Sequence, residues 1–284
     1  MTIKKALLLG LNYNNTANQL NGCINDVLNV SAFLTSCCGF APEKIQLLTD
    51  QTDLKPTKSN IQTQILEFTK NVVSGDVLVF HYSGHGSYVQ DTNGDETDKR
   101  DEVLVPLDYT RTGFITDDWL YENLVMKVPA GVNLIAFLDC CHSGTGFDLR
   151  FNYKSLCRPK FIADKMSTEY KATEWTDVFS FSIEKSLGLV AGNVIMFSGC
   201  LDPQTSADAY IANQAQGAFT NALLKVLKTN VITLENGDKR FQNGTLKVRN
   251  ILKGVNCILR MGQFSQSSQL CLSIQSNFEN FLFL

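Results

Sequence analysis

Two short runs carry the side chains that thiol chemistry needs. "LDCCHSG", residues 138–144, sets two thiols and an imidazole directly after a strongly apolar stretch, and "HYSGHG", residues 81–86, sets His85 between two glycines. A thiol becomes a thiolate at neutral pH when a base stands beside it, and a histidine on a neighbouring strand end is the usual partner. Gly84 and Gly86 carry no side chains, so backbone N–H groups and a substrate can approach His85 closely. The two runs together suggest a nucleophile, a base and an oxyanion hole of backbone donors at Gly86 and the nucleophile. Their competitors are a tight turn around a buried thiol, or a zinc site. Adjacent Cys140, Cys141 and His142 close a tetrahedron poorly, and no other cysteines stand at ligand spacing, which weighs against zinc. His81 is a second candidate base, although its place inside a strand suits a packed or surface histidine better.

These side chains need a scaffold, and short apolar runs supply it. Strands are expected at Lys5–Gly10, Lys44–Leu48, Val77–Tyr82, Asn133–Leu138, Val194–Ser198 and Leu270–Ile274. Helices are expected at Asn25–Cys37 (stopped by Gly39), Lys58–Val72 (after Thr57 as cap), Asp117–Met126, Ala218–Leu227 and Leu246–Met261. Alternation of this kind predicts an α/β fold, a mainly parallel six-stranded sheet with helices on both faces. Ligands of such sheets sit beyond the carboxyl ends of the strands. Both reactive runs end strands there. The stretch from about Asp148 to Leu189, polar and weakly periodic, reads as a long mobile loop between two halves.

Composition bounds the rest. With 284 residues, 44% hydrophobic and 19% charged, the chain buries a sizeable core without staples. A net charge of −3 gives no footprint for nucleic acid or an anionic membrane, and no stretch reaches membrane-spanning length. "KKALLLG" reads as an opening strand rather than a secretion signal. Nine cysteines, an odd number without a repeated spacing, imply a reducing, cytoplasmic setting in which most thiols are small core residues.

In order along the chain, "HYSGHG", "DEVLVPLDY", "ITDD", "DCCHSG", "SGCLDPQTSADA" and "GAFTNALL" resemble the metacaspases, caspase-like cysteine peptidases, over most of its length. The family's Asp-x-Cys-His-Ser-Gly pattern makes Cys141 the nucleophile, leaves Cys140 at the variable position, and makes His85 the base. The resemblance implies a caspase-like fold, with residues 1–150 as the large part, 151–190 as a linker and 191–284 as the small part. Self-cleavage in the linker is implied too, with Lys154, Arg158, Lys160, Lys165 and Lys171 as candidates. The resemblance is to a minimal type I catalytic core without the Pro/Gln-rich amino-terminal extension of many members, and with it calcium is the expected switch. A monomer acting on protein or peptide substrates is expected.

Charge argues for what is cut. Asp139 lies two residues before Cys141 and should project near it. Asp26, at the start of the first helix, would reach the same edge, unless it serves only as a helix N-terminal charge. Two carboxylates in one pocket favour a Lys or Arg side chain. In the family Cys23, Asp26, Ser83 and Asp139 line the primary specificity pocket, which implies cleavage after Arg or Lys. The acidic run "DTNGDETDKRDE" mimics an EF-hand loop, but Glu96 stands where that loop needs Gly, and an acidic hairpin is the better reading. The family implies instead a Ca2+ site from separate loops: Asp101, Asp117, Asp118 and Asp148. Gathered together, four carboxylates would repel unless a hard dication neutralised them. Gln204, Ser206 and Asp208 are candidate cleft residues.

Overall fold

The computed structural model describes residues 2–91, 99–141, 146–161, 172–183, 188–201, 208–211, 214–282 and 284, the side chains at 156–161, 172–178 and 208–211 excepted. In chain order it holds β1 (Lys4–Gly10), α1 (Cys23–Cys38), β2 (Ile45–Thr49), α2 (Lys58–Phe68), β3 (Val77–Ser83), β4 (Gly86–Gln90), β5 (Arg100–Leu104), α3 (Tyr109–Thr112), β6 (Ile115–Thr116) and α4 (Asp117–Asn123). There follow β7 (Asn133–Asp139), β8 (Phe151–Phe161), β9 (Ala172–Ile183), β10 (Asn193–Ser198), β11 (Asp208–Ile211), β12 (Gln214–Gly217), α5 (Ala218–Lys228), β13 (Val231–Thr233), β14 (Lys239–Phe241), α6 (Val248–Met261) and β15 (Gln269–Leu272).

One sheet organises them, in the order β2-β1-β3-β7-β10-β15-β8-β9. From β2 to β10 the pairings are parallel, and β15, β8 and β9 are added antiparallel. Because side chains alternate across a strand, each strand feeds two cores. Leu8, Val79 and Phe137 pack with Val30 and Phe33 of α1, Phe219 and Leu223 of α5 and Ile251 and Val255 of α6. Leu7, Leu9, Phe80 and Leu134 pack on the other face with Ile61 and Ile65 of α2 and Leu120 of α4. Burial on both faces is why these strands are nearly continuous apolar runs.

All six expected strands are present, and two more lengthen the sheet. They come from the stretch read as a loop: β8 and β9 form an antiparallel pair in which Tyr153 stands opposite Phe181, ring centroids 4.9 Å apart. Their large apolar residues recur at every second position, Phe151 and Tyr153, then Phe179, Phe181 and Ile183, between polar ones that hide the period.

Helix limits follow local chemistry. Gly39, at φ 71°, closes α1; the Thr57 hydroxyl accepts from Asn60 N and opens α2; the Thr116 hydroxyl accepts from Trp119 N and opens α4. The helix expected to run to Met126 ends at Asn123, and a 3-10 turn covers Val125–Lys127. The acidic run from Asp91 to Glu102 joins the antiparallel strands β4 and β5, a hairpin without the helix pair of an EF-hand; its residues 92–98 lie outside the described residues. Among the described residues no helix is long and apolar enough to cross a membrane. Cys257 on α6 is disulfide-bonded, and Cys23, Cys37, Cys38, Cys140, Cys141, Cys200 and Cys271 are free thiols.

Candidate active site

Parallel β3 and β7 lie side by side, with Ser83 in register with Asp139, so their carboxyl ends deliver both reactive runs to one place. The Gly84 N–H donates to the Asp139 carbonyl, 3.3 Å, tying the two exits together. At Gly86 the approach is closest: a Cβ there would overlap the Cys141 carbonyl oxygen and stand 3.2 Å from Cys140 Sγ. Glycine is required at that position because backbone packs on backbone.

The two cysteines now separate. Cys140 is 1% exposed and its carbonyl accepts from Cys200 Sγ, 3.1 Å. Cys141 is half-buried, whereas the other free cysteines among the described residues are buried. A nucleophile must reach solvent and substrate, which Cys141 does. Residues 142–145 lie outside the described residues.

His85 is held from three sides. Its Nε2 lies 2.7 Å from the Asn18 carbonyl oxygen. A carbonyl only accepts, so the neutral ring carries its proton on Nε2 and keeps Nδ1 as the basic atom. The Tyr13 ring packs against the imidazole with centroids 4.7 Å apart, and Tyr13 Oη accepts from His85 N at 3.0 Å while donating to the Val105 carbonyl at 2.7 Å. Tyr82 Oη donates to the His85 carbonyl, 2.7 Å. Burial raises both phenols far above their ordinary range, so they stay protonated donors. Neither Tyr13 nor Asn18 was legible beforehand. Asn18 acts through its backbone, which no residue type encodes, and "LNYNN" gives no periodic hint.

Behind this pair sit the acids. Asp26, in the first turn of α1, is wholly buried and accepts from Ser83 Oγ at 2.7 Å and from Gly217 N at 2.9 and 3.0 Å. Asp139, 5% exposed at the end of β7, accepts at Oδ2 from Thr220 N, 2.9 Å, and Thr220 Oγ1, 2.7 Å. A Cβ on Gly217 would run into both carboxylates, so the two acids face each other across that glycine. Cys23 opens α1 and is buried, its carbonyl 2.6 Å from where a Cβ of Gly10 would be. Cys23, Asp26, Ser83 and Asp139 therefore meet at one sheet edge.

The same contacts cap a helix. Gly217 is the N-cap of α5 and has no side chain to offer. Asp26 and Asp139 take up N–H groups of its first turn from across the chain, a charge placement the helix dipole favours. Gly217 and Thr220 stand in the "GAFTNALL" run, and a helix opening on a bare glycine is the sequence signal that points to them. His81 is fully buried, with burial pushing its pKa down to about 3, so it is a packed neutral imidazole and not a base.

Of the four expected metal ligands, three gather. Carboxylate oxygens of Asp117, Asp118 and Asp148 lie within 4.8 Å of one another. Asp117 Oδ2 accepts from Glu102 N at 2.7 Å, and its pKa is pushed up to about 8 by burial first and by the Asp148 charge second. Asp101, buried on β5, is not one of the three. Two buried acids and a third beside them, with oxygen donors only, fit a hard dication. Gln204 and Ser206 lie outside the described residues, and Asp208 begins β11.

A family model described as "Metacaspase, peptidase C14 domain" matches residues 4–150. Metacaspase-1A of Aspergillus niger is 37% identical over 256 residues, covering 80% of this chain and 63% of that protein. Metacaspase-1B of Neurospora crassa is 38% identical over 255 residues, covering 80% of this chain and 59% of that protein. The chain thus spans less than two thirds of the length of these relatives. Among solved structures, a Geobacter sulfurreducens protein aligns with TM-score 0.63 and 26% identity over 98% of this chain and 97% of its own. Caspase-1 of Spodoptera frugiperda shares the fold, with TM-score 0.53 and 12% identity over 95% of this chain and 86% of its own.

Proposed function

Because the chain belongs to the metacaspase family, peptidase C14 type, we propose that it is a calcium-activated cysteine endopeptidase that cleaves proteins after Arg or Lys and also cuts itself between its two parts. The observation that carries the reading is the convergence of half-exposed Cys141, oriented His85 and close-packed Gly86 at the carboxyl ends of β3 and β7.

In the mechanism that follows, the basic side chain of the substrate enters beside Asp26 and Asp139, which sets the scissile carbonyl against Cys141. His85 takes the thiol proton and the sulfur adds to the carbonyl carbon, forming a C–S bond. The oxyanion is held by backbone N–H groups at Gly86 and Cys141. As the C–N bond breaks, His85 gives its proton to the departing amine, leaving a thioester on Cys141. His85 then deprotonates a water that attacks this thioester; the carboxylic acid leaves and the thiol is restored. Asn18 and Tyr13 keep the ring aimed throughout. Asp117, Asp118 and Asp148 would hold calcium, whose positive charge relieves their mutual repulsion.

The test is incubation with an Arg-terminated fluorogenic peptide, with and without calcium, beside Lys-, Asp- and Asn-terminated ones. Turnover confined to Arg and Lys and raised by calcium is expected; no turnover by folded protein sinks the reading, and Asp or Asn preference replaces its specificity. For self-cleavage, Lys154, Arg158 and Lys160 lie in the paired strand β8, where ladder hydrogen bonds withhold the backbone from a protease. The cut is therefore expected at Lys165 or Lys171, between β8 and β9 and outside the described residues, and mass spectrometry of the fragments would identify it.

A further inference from the structure

Asp139 is the end of a buried chain of polar groups that the catalytic steps do not use. Its Oδ2 receives the Thr220 hydroxyl at 2.7 Å, and that hydroxyl lies 3.2 Å from His81 Nε2. Directions follow from chemistry. The Thr220 hydroxyl donates to the Asp139 carboxylate, so its proton points there and the hydroxyl is an acceptor toward the ring. His81 must therefore carry its proton on Nε2. Its Nδ1, fully buried, has no hydrogen-bond partner, a cost that a phenylalanine at this position would avoid. His81 sits in the middle of β3, in register with Leu8 and Phe137, where apolar residues are the rule. A polar ring kept there at a cost is explained by what its N–H does.

We propose that His81 and Thr220 are positioning residues for the basic-side-chain pocket: the imidazole N–H fixes the Thr220 hydroxyl, and that hydroxyl fixes the Asp139 carboxylate that meets the substrate's Arg or Lys. The inference rests on the pocket reading above. A carboxylate locked by two donors on one oxygen, Thr220 N and Oγ1, presents a single orientation to a guanidinium or ammonium group. Thr220 occupies the first turn of α5, so a rigid helix carries both donors, and His81 of β3 braces the hydroxyl one.

The experiment uses Thr220→Val, which keeps shape and backbone N–H but removes the hydroxyl, Thr220→Ser, which restores it, and His81→Phe. Steady-state kinetics with an Arg-terminated peptide, and inhibition by agmatine as a mimic of the arginine side chain, are measured with calcium present. Thr220→Val is expected to raise both KM and the agmatine inhibition constant about tenfold with kcat altered far less, Thr220→Ser to recover most of the loss, and His81→Phe to shift KM the same way by a smaller factor. Parallel thermal melts separate loss of fold from loss of pocket geometry, and if His81→Phe does not fold, the two Thr220 variants decide. Should the wild type prefer Arg while folded Thr220→Val matches it in KM and agmatine inhibition, or lose kcat alone, this inference is wrong and the pocket reading stands. Should the wild type show no preference for basic residues, the pocket reading falls and takes this inference with it.

Discussion

At the scale of single residues, neighbours in sequence have been given opposite tasks by burial. Cys140 points into the core beneath Gly86 while Cys141 reaches the surface. Cys141→Ala is expected to abolish hydrolysis of an Arg-terminated peptide and Cys140→Ala to retain it; the reverse would overturn the assignment of the nucleophile. Tyr13 is the least conspicuous member of the site, yet its hydroxyl pairs with the His85 N–H. Tyr13→Phe leaves that donor without its acceptor and should lower kcat about tenfold, with peptide hydrolysis as the readout. His81 adds a pH effect. Its folded pKa of about 3 lies below the unfolded value of 6.5, so the unfolded chain binds the extra proton between them and stability falls as the pH drops below 6.5. The loss should be on the order of 3 kcal/mol by pH 4, and urea melts of the wild type should show a steeper acid slope than those of His81→Phe.

Among the elements, α5 joins Asp26 and Asp139 to the rest of the fold. It begins on a glycine because Asp26 and Asp139 occupy the space a Cβ would need and supply the cap themselves. Gly217→Ala should therefore cost roughly 2–4 kcal/mol of stability and impair cleavage after Arg more than a surface change of equal stability cost, as melts and peptide kinetics together would show. Strands were legible to within a residue or so where burial on both faces made them apolar, as in β1, β3 and β7. They were not legible in β8 and β9, whose aromatic residues face partners far apart in sequence, such as Phe181 on Tyr153, among polar neighbours.

For the whole molecule, the acid cluster ties three segments together, since Asp117 on α4, Asp148 after β7 and the β5 backbone at Glu102 meet there. Asp117 binds its proton more tightly folded, near 8, than unfolded, near 3.8, so the metal-free protein loses stability as pH rises through that window. Calcium requires the ionised form. The rise in melting temperature on adding calcium should thus be larger at pH 8.5 than at pH 6.5, and Asp117→Asn should stabilise the metal-free protein while removing the calcium response, both read by thermal melts. The amino-acid sequence alone determined the residue types that do chemistry, the strands that carry them and the family pattern, because reactive side chains, apolar runs and glycines are local features. Only the tertiary structure decided that Asn18 and Tyr13 hold His85, that Thr220 and His81 stand behind Asp139, and that Asp117, Asp118 and Asp148 gather. Those relations join positions tens to more than a hundred residues apart, through backbone atoms and buried hydrogen bonds whose geometry exists only once the sheet has brought its edges together.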